Sequence, residues 1–330
     1  MLRVAIIGVG AMGCLFAGHL TPFADVTMVG HWSPQLDALR RGLVLISPDG
    51  QERQVSITVA EDARRVTPVS LAIVLVKSYQ TSRSAPEIRA LLDSDGLAIT
   101  LQNGISNEQA LASELGARRV VVGTTTEGAT LVKVGVVRHA GRGVTTLPLL
   151  IDERAGLVDA FADVLRRAGF HVALSTEAET RVWEKLAVNA AINPLTALVD
   201  APNALLIDNA AAGQLARLAA TEAALVARAQ GLDVDPRRAA TRALDVATAT
   251  RDNISSMLQD VRNGRPTELE AISGSVIKQG REHGVATPAN AALHYLLMLK
   301  LEGADWQTAV ASLSPALQPL FIELQQEGRR

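Results

Sequence analysis

Three polar side chains recur every four residues in the second half of the chain. Lys185, Asn189 and Asn193 would share one face of an α-helix, because a step of four residues drifts only about 40° around the helix axis. The residues between them are all apolar, and Pro194 should kink or end the helix just beyond Asn193. An ammonium and two amides on one face could hold an α-keto acid by its carboxylate and ketone oxygens. An exposed polar stripe is the structural alternative.

A second polar pair, Ser256 and Glu268, lies further along the chain. On one unbroken helix the two would be about 120° apart, but the segment 263–266, Asn-Gly-Arg-Pro, interrupts the helix and lets the chain change direction. Glu268 then falls in the first turn of the next helix. Taken alone, Glu268 is best explained as a partner of the helix dipole, and Ser256 as a helix cap or a solvent-exposed residue.

The N-terminal residues contain the pattern Gly-x-Gly-x-x-Gly. Its members are Gly8, Val9, Gly10, Ala11, Met12 and Gly13. An apolar, β-branched run at 3–7 precedes it, a short helical pattern follows it, and a second strand is predicted at 25–29. In this context the first glycine allows a tight turn, the second lets the backbone approach a pyrophosphate, and the third allows close packing of helix and strand. The turn therefore predicts a dinucleotide site at a helix N-terminus, with a purely structural turn as the alternative.

Three further residues fall where strands end. An acidic residue after the second strand would bind the ribose diol of NAD, but His31 stands there, which modestly favours NADP; a solvent-exposed loop is the alternative. Lys77 and Asn103 each follow a predicted buried strand, at the edge where open α/β sheets bind ligands. Lys77 could attract an anion and Asn103 could bond a nicotinamide ribose or carboxamide, unless both belong to ordinary turns.

The length of the chain and a change in its sequence pattern near residue 175 indicate two domains. The chain has 330 residues, more than twice the commonest domain size. Further strands are predicted at 69–76, 97–101, 120–123 and 170–174, and Ala- and Leu-rich helical stretches at 177–198, 209–231, 235–259, 266–284 and 288–301. We therefore predict an α/β fold, with a Rossmann-type dinucleotide-binding domain at residues 1–175 and an all-α domain at residues 176–330.

Composition argues against several classes of function. The 32 basic and 34 acidic residues give a net charge of −2 without basic runs, which disfavours nucleic-acid and anionic-membrane surfaces. The single cysteine and the lack of clustered Cys and His predict no metal site and a reducing compartment. No segment has the pattern of a signal peptide or membrane span, so we expect a cytoplasmic protein.

Taken in order and spacing, these motifs resemble the ketopantoate reductase family, the 2-dehydropantoate 2-reductases, over essentially the whole chain. The matching segments are the glycine turn at 8–13, Lys77, residues 101–104, 123–129, 139–143, 185–189 and 192–196, Pro202-Asn203, residues 255–260 and Thr267-Glu268. Together they are far more specific than any one motif. His31 stands where many family members carry arginine.

The resemblance implies reduction of 2-dehydropantoate to (R)-pantoate, a step toward pantothenate and coenzyme A, with NADPH/NADP as cofactor and NADH left open. Lys185 would donate the proton to the ketone oxygen, and Glu268 would lie near the lysine and the nicotinamide ribose. Asn189, Asn193, Asn203 and Ser256 would contact the substrate. Lys77, Asn103 and Ala129 would line the cofactor pocket, with Asn103 also near the substrate.

Two other functions stay open. One is reduction of another branched 2-oxo acid, since the family contains paralogues with other substrates. The other is a non-catalytic NADP-sensing module, which fold alone does not distinguish from an enzyme. Retention of the lysine, the amides and Glu268 argues against the sensor. The apolar faces of the C-terminal helices could form a homodimer interface or an intramolecular core.

Overall fold

The computed structural model describes residues 1–303. The chain divides into two compact units, Met1–Arg181 and Val182–Arg330. The first unit combines sheets and helices, and the described part of the second unit is helical. These features confirm the predicted fold class, an α/β unit of the dinucleotide-binding type followed by an all-α region.

The first unit is built around a six-stranded parallel sheet. Its strands in spatial order are β5 (Thr58–Ala60), β2 (Asp25–Val29), β1 (Arg3–Ile7), β6 (Val69–Val74), β7 (Leu92–Thr100) and β8 (Val120–Val122). Alternate residues of β1 enter different cores: Val4 and Ile6 pack on one face of the sheet, and Ala5 and Ile7 on the other. Because both faces are covered, β1 is apolar from Val4 to Ile7 rather than alternating with polar residues.

Helices cover both faces of this sheet. They are α1 (Ala11–Leu20), α2 (Ser33–Arg40), α3 (Thr81–Leu91), α4 (Asn107–Leu115) and α5 (Ala155–Arg167). The core on one face includes buried side chains of α1, α2 and α5, and the core on the other includes those of α3 and α4. Because these strands are parallel, the carboxyl ends of β1, β2, β6 and β7 lie at one edge of the sheet. The loops that follow them can bind a ligand there.

The first unit also contains two smaller sheets, and of their strands the sequence predicted only His171–Ser175, as the segment 170–174. One has the order β10 (Gly128–Lys133), β11 (Val136–Gly141), β3 (Leu43–Ile46), β4 (Glu52–Val55). The other has the order β13 (His171–Ser175), β12 (Val144–Pro148), β9 (Thr124–Thr125). Several of these strands are short, and β4 and β10 carry mainly exposed or half-buried residues, which weakens the apolar signal that marks a strand.

The helices of the second region are longer. They are α6 (Ala178–Val199), α7 (Leu205–Asp208), α8 (Ala210–Ala229), α9 (Pro236–Ala249), α10 (Ser256–Arg262), a π-helix (Glu270–Gly274), α11 (Ser275–Glu282) and α12 (Pro288–Leu301). Many of their buried positions are alanine, as in α8. Small side chains let neighbouring helices approach closely, which fits the low aromatic content of 3%.

Two helix predictions need correction. Pro194 does not end its helix, because α6 continues to Val199. Proline cannot donate the hydrogen bond to the carbonyl of Ala190, and its ring crowds that carbonyl. The surrounding residues are buried, so packing holds the last turn in spite of this cost. The continuous helix predicted at 235–259 is two helices, since α9 ends at Ala249 and α10 starts at Ser256.

Candidate active site

The glycine turn joins β1 to α1, and each glycine meets a different spatial demand. Gly8 has φ +118°, and a Cβ there would lie 2.9 Å from the backbone carbonyl carbon of Leu75. A Cβ on Gly13 would overlap the Gly8 carbonyl oxygen, so glycine allows the helix to start against the strand. A Cβ on Gly10 would have no protein atom within 4 Å. The space beside Gly10 is therefore open, as a backbone that approaches a pyrophosphate requires.

Alanine at Gly10 and at Gly13 should have separable effects. Gly10 caps α1 with φ −77°, which alanine adopts freely, so Gly10→Ala should keep its thermal stability. Its methyl group would fill the approach to the phosphates and raise the dissociation constant for a nicotinamide dinucleotide by about tenfold, or about 1.4 kcal/mol. Gly13→Ala should instead lower the unfolding free energy by about 1–3 kcal/mol. Calorimetry and cofactor titration measure both, and wild-type cofactor affinity in Gly10→Ala would contradict a phosphate site here.

Lys77 and Asn103 follow β6 and β7, and a buried glutamine links their loops. Gln102 donates from Nε2 to the carbonyl of Val76 at 2.7 Å and to Oγ1 of Thr81 at 2.8 Å. On the other side, Asn107 donates to the carbonyl of Asn103 at 2.8 Å. The sequence alone does not predict a role for Gln102. The structure gives it the role of joining the two loops at the carboxyl edge of the sheet.

Ala129 lies in β10, next to a buried pair of a histidine and a glutamate. It is the register partner of His139 in β11. Nε2 of His139 is 2.6 Å from Oε2 of Glu127, and both side chains are almost entirely buried. The pair ties β11 to the segment that enters β10. The sequence does not predict this contact, because the two residues lie twelve positions apart with no periodic pattern between them.

His31, which follows β2, already has a partner in this structure. Its Nε2 lies 2.8 Å from Oε1 and 3.0 Å from Oε2 of Glu87 on α3. Both side chains are partly exposed, at 52% for His31 and 33% for Glu87. The sequence gives no sign of this pair, which joins residues 56 positions apart.

Lys185 and Glu268 interact electrostatically in the helical region. Burial lowers the pKa of the Lys185 ammonium from 10.5 to about 8, while the charge of Glu268 acts in the opposite direction and raises it. Glu268 is itself buried, and its carbonyl accepts a hydrogen bond from the Ile272 amide as the next helix starts. A lysine with a pKa near neutrality can hold and release a proton under physiological conditions.

Three asparagines proposed as substrate contacts lie in the same helical region. Asn189 and Asn193 share α6 with Lys185, and Asn193 is buried. Asn203 is also buried, and it donates from Nδ2 to Oγ1 of Thr250 at 2.9 Å. Oδ1 of Asn203 is buried without a hydrogen-bond partner among the described residues. An acceptor left in this state costs about 1–3 kcal/mol, and a donor group on a ligand would satisfy it.

Ser256 is the exposed first residue of α10, and its neighbour makes the structural bonds. Ser255 caps α10 by accepting a hydrogen bond from the Leu258 amide at 3.2 Å. Its Oγ also lies 2.7 Å from Oγ1 of Thr196. This contact fastens the last turn of α6 to the start of α10. The helix cap is therefore Ser255, and the neighbouring Ser256 is the residue proposed to contact the substrate. The sequence had left open whether Ser256 itself was the cap.

The described residues contain neither a metal-binding cluster nor a membrane-spanning helix. Within residues 1–303, no group of three or more His, Cys, Asp or Glu side chains could hold a metal ion. Over the same residues, no helix is long and apolar enough to cross a membrane.

A parallel sheet with a dinucleotide-type glycine turn, followed by a helical region with a low-pKa lysine, defines a class of nicotinamide-dependent oxidoreductases. Family models agree: residues 4–151 match "Ketopantoate reductase PanE/ApbA" and residues 177–301 match its C-terminal model. A relative from Halobacterium salinarum, named 2-dehydropantoate 2-reductase, is 37% identical over 300 residues, which cover 90% of this chain and 98% of the relative. The chain belongs to the ketopantoate reductase family.

Solved structures agree with this assignment. A D-mandelate dehydrogenase in complex with NADH and anilino(oxo)acetate has a TM-score of 0.86 and 25% identity, covering 92% of this chain and 99% of that one. A 2-dehydropantoate 2-reductase from Geobacter metallireducens has a TM-score of 0.84 and 29% identity, covering 91% of this chain and all of that one. These two relatives carry names of enzymes for different substrates, so the family alone leaves the substrate of this chain open.

Proposed function

We propose that this protein reduces the ketone of 2-dehydropantoate (ketopantoate) to (R)-pantoate, in the biosynthesis of pantothenate and coenzyme A, with Lys185 as the proton donor. The observation that carries the proposal is the Lys185 ammonium, whose burial brings its pKa to about 8 beside the charge of Glu268. We assign cofactor binding to residues 1–175 and substrate binding to residues 176–330.

A reduced nicotinamide dinucleotide supplies the hydride that this reaction needs. The new C–H bond forms at the ketone carbon, and the carbonyl π electrons move onto the oxygen. Lys185 stabilises this developing negative charge and transfers its proton to the oxygen, so the product is an alcohol and the lysine is left neutral. Glu268 favours the charged lysine and so helps it recover a proton from solvent.

The amides and the hydroxyl would bind the substrate. Asn189 and Asn193 would donate hydrogen bonds to the carboxylate and ketone oxygens from the helix that carries Lys185, and Ser256 would contribute a hydroxyl. The unpartnered Oδ1 of Asn203 suits a hydroxyl donor, which ketopantoate has and a simple branched 2-oxo acid lacks. A site that bonds a substrate hydroxyl discriminates strongly against an analogue without one.

The glycine turn from Gly8 to Gly13, Lys77, Asn103 and Ala129 would hold the cofactor. NADPH is the form that the sequence modestly favours through His31, and the choice between NADH and NADPH depends on the surroundings of that residue. A homodimer through the apolar faces of the C-terminal helices stays a prediction. The proposed chemistry needs no metal, since the lysine and amides assist the carbonyl.

A panel of 2-oxo acids tests the proposed substrate. Purified protein should oxidise the reduced cofactor with ketopantoate, and kcat/KM for 2-oxoisovalerate, which lacks the hydroxyl, should be at least about a hundredfold lower. Replacing Asn203 with leucine should reduce the ratio of kcat/KM for ketopantoate to kcat/KM for 2-oxoisovalerate. A clear preference for another acid, including a phenyl-substituted one, would contradict the substrate assignment and leave the reaction class intact. Cofactor binding without turnover of any 2-oxo acid would support a sensor instead.

A further inference from the structure

The end of β2 lies directly beside the phosphate turn. The Gly8 amide donates to the carbonyl of Val29 at 2.9 Å, and a Cβ on Gly30 would lie 2.9 Å from Cγ1 of Val9. His31 follows at once. In a fold of this class, the group just past the second strand contacts the 2′ position of the adenosine ribose. A carboxylate there accepts a hydrogen bond from a free 2′-hydroxyl, whereas a cation accommodates a 2′-phosphate.

The sequence has no carboxylate at the end of β2, but the structure supplies one from another element. Glu87 projects from α3, and its two oxygens lie 2.8 and 3.0 Å from Nε2 of His31. A carboxylate has about four acceptor positions, so a Glu87 bonded to one ring nitrogen can still accept from a hydroxyl. One of the two ring nitrogens that His31 could offer to a phosphate is already bonded to Glu87.

The cavity beside this pair carries more negative than positive charge. It has a volume of about 410 Å³, within the range of about 300–1,000 Å³ typical of small-molecule sites. Its lining residues are His31, Glu61, Asp62, Ala63, Arg64, Pro86, Glu87 and Ala90. The one arginine among them, Arg64, is paired with Asp62 at 3.0 and 3.1 Å. Glu61 is likewise paired with Arg40, at 2.9 Å. A 2′-phosphate placed here would therefore meet two carboxylate–arginine pairs and the carboxylate of Glu87.

We propose that Glu87, held by His31, is the carboxylate that recognises the ribose, so that this protein prefers NADH, with its free 2′-hydroxyl, over NADPH. The inference rests on the proposed function only in placing a nicotinamide dinucleotide at the glycine turn. It reverses the preference that His31 alone suggested. An enzyme of this kind would draw its hydride from the NADH pool.

Binding of NADH and NADPH, measured by nicotinamide fluorescence without any keto acid, tests the inference. The wild-type protein should bind NADH about tenfold more tightly or better, since the charged carboxylate of Glu87 accepts a hydrogen bond from the free 2′-hydroxyl and repels a 2′-phosphate. Glu87→Gln should lose most of that difference, and Glu87→Lys should favour NADPH. Thermal melting checks that each variant is folded. We expect both to fold, because the Glu87 side chain is partly exposed.

Glu114→Gln is the matched control. Glu114 lies on the neighbouring helix α4, is also 33% exposed and pairs with Arg89 of α3 at 3.1 Å. Its replacement should leave the NADH/NADPH ratio unchanged. Tighter binding of NADPH by the wild-type protein, or the wild-type ratio in Glu87→Gln, would overturn the inference. Neither result would affect the proposed reaction. Failure to turn over a keto acid would contradict the reaction and leave the binding ratio standing.

Discussion

Lys185→Met should lower kcat/KM for ketopantoate by about 10²–10⁴-fold, the usual contribution of a positioned general acid. Methionine keeps an unbranched stem of similar length in this partly buried position, but it removes the proton and the positive charge that stabilise the oxygen during hydride transfer. Affinity for the nicotinamide dinucleotide should be unchanged, because the glycine turn that we propose as its binding site lies in the other unit of the chain. Steady-state kinetics and a fluorescence titration measure the two quantities.

Lys278→Met is the control for this substitution. Lys278 is an exposed lysine on α11, and its replacement should leave kcat/KM within about twofold of wild type, as for most surface changes. If Lys185→Met retained normal turnover, Lys185 would not be the proton donor. If it lost cofactor binding together with turnover, its effect would be structural rather than chemical.

Glu268→Gln should move the pH dependence of the reaction toward acid. The lysine must be protonated to donate, so kcat/KM of the wild-type protein should fall as the pH rises through about 8. The Glu268 charge raises the pKa of Lys185 against the effect of burial. Removing that charge leaves burial unopposed, so the alkaline limb should shift to lower pH and the rate at pH 8 should drop.

Glu270→Gln is the control for this substitution, since it also removes one carboxylate charge, two residues further along the chain. Glu270 is 79% exposed, and its Oε1 lies 3.2 Å from Nε2 of His294. Because solvent screens this carboxylate, its loss should leave the alkaline limb where it is in the wild-type protein. An identical pH profile in Glu268→Gln and wild type would show that Glu268 does not act on the lysine.

The sequence was sufficient to predict the parts that depend on local pattern. The apolar run before Gly8, the spacing of the three glycines and the helix after them specify a strand, turn and helix within about twenty residues, and the structure has all three. The four-residue spacing of Lys185, Asn189 and Asn193 likewise predicts a shared helix, and α6 contains all of them. These patterns arise from neighbours along the chain, so periodicity reveals them.

The sequence was insufficient wherever distant segments meet. Glu87 reaches His31 across 56 positions, and Thr196 reaches Ser255 across 59. Helix α6 continues past Pro194 because tertiary packing outweighs a local preference. The strands of the two smaller sheets are stabilised by partners far away in sequence, as where β11 lies parallel to β3. No periodicity along one segment encodes such contacts.

The central claim is that Lys185 donates the proton to the ketone oxygen. It is tested most directly by comparing the pKa of the Lys185 ammonium with the pH dependence of the hydride-transfer rate. The chain has only five lysines, so NMR of protein labelled at the lysine side chains can resolve each ammonium, with Lys185→Met giving the assignment. We predict that Lys185 titrates near pH 8 and that the rate of hydride transfer to ketopantoate falls with the same midpoint. A rate that stays constant while Lys185 loses its proton would contradict its role as the proton donor.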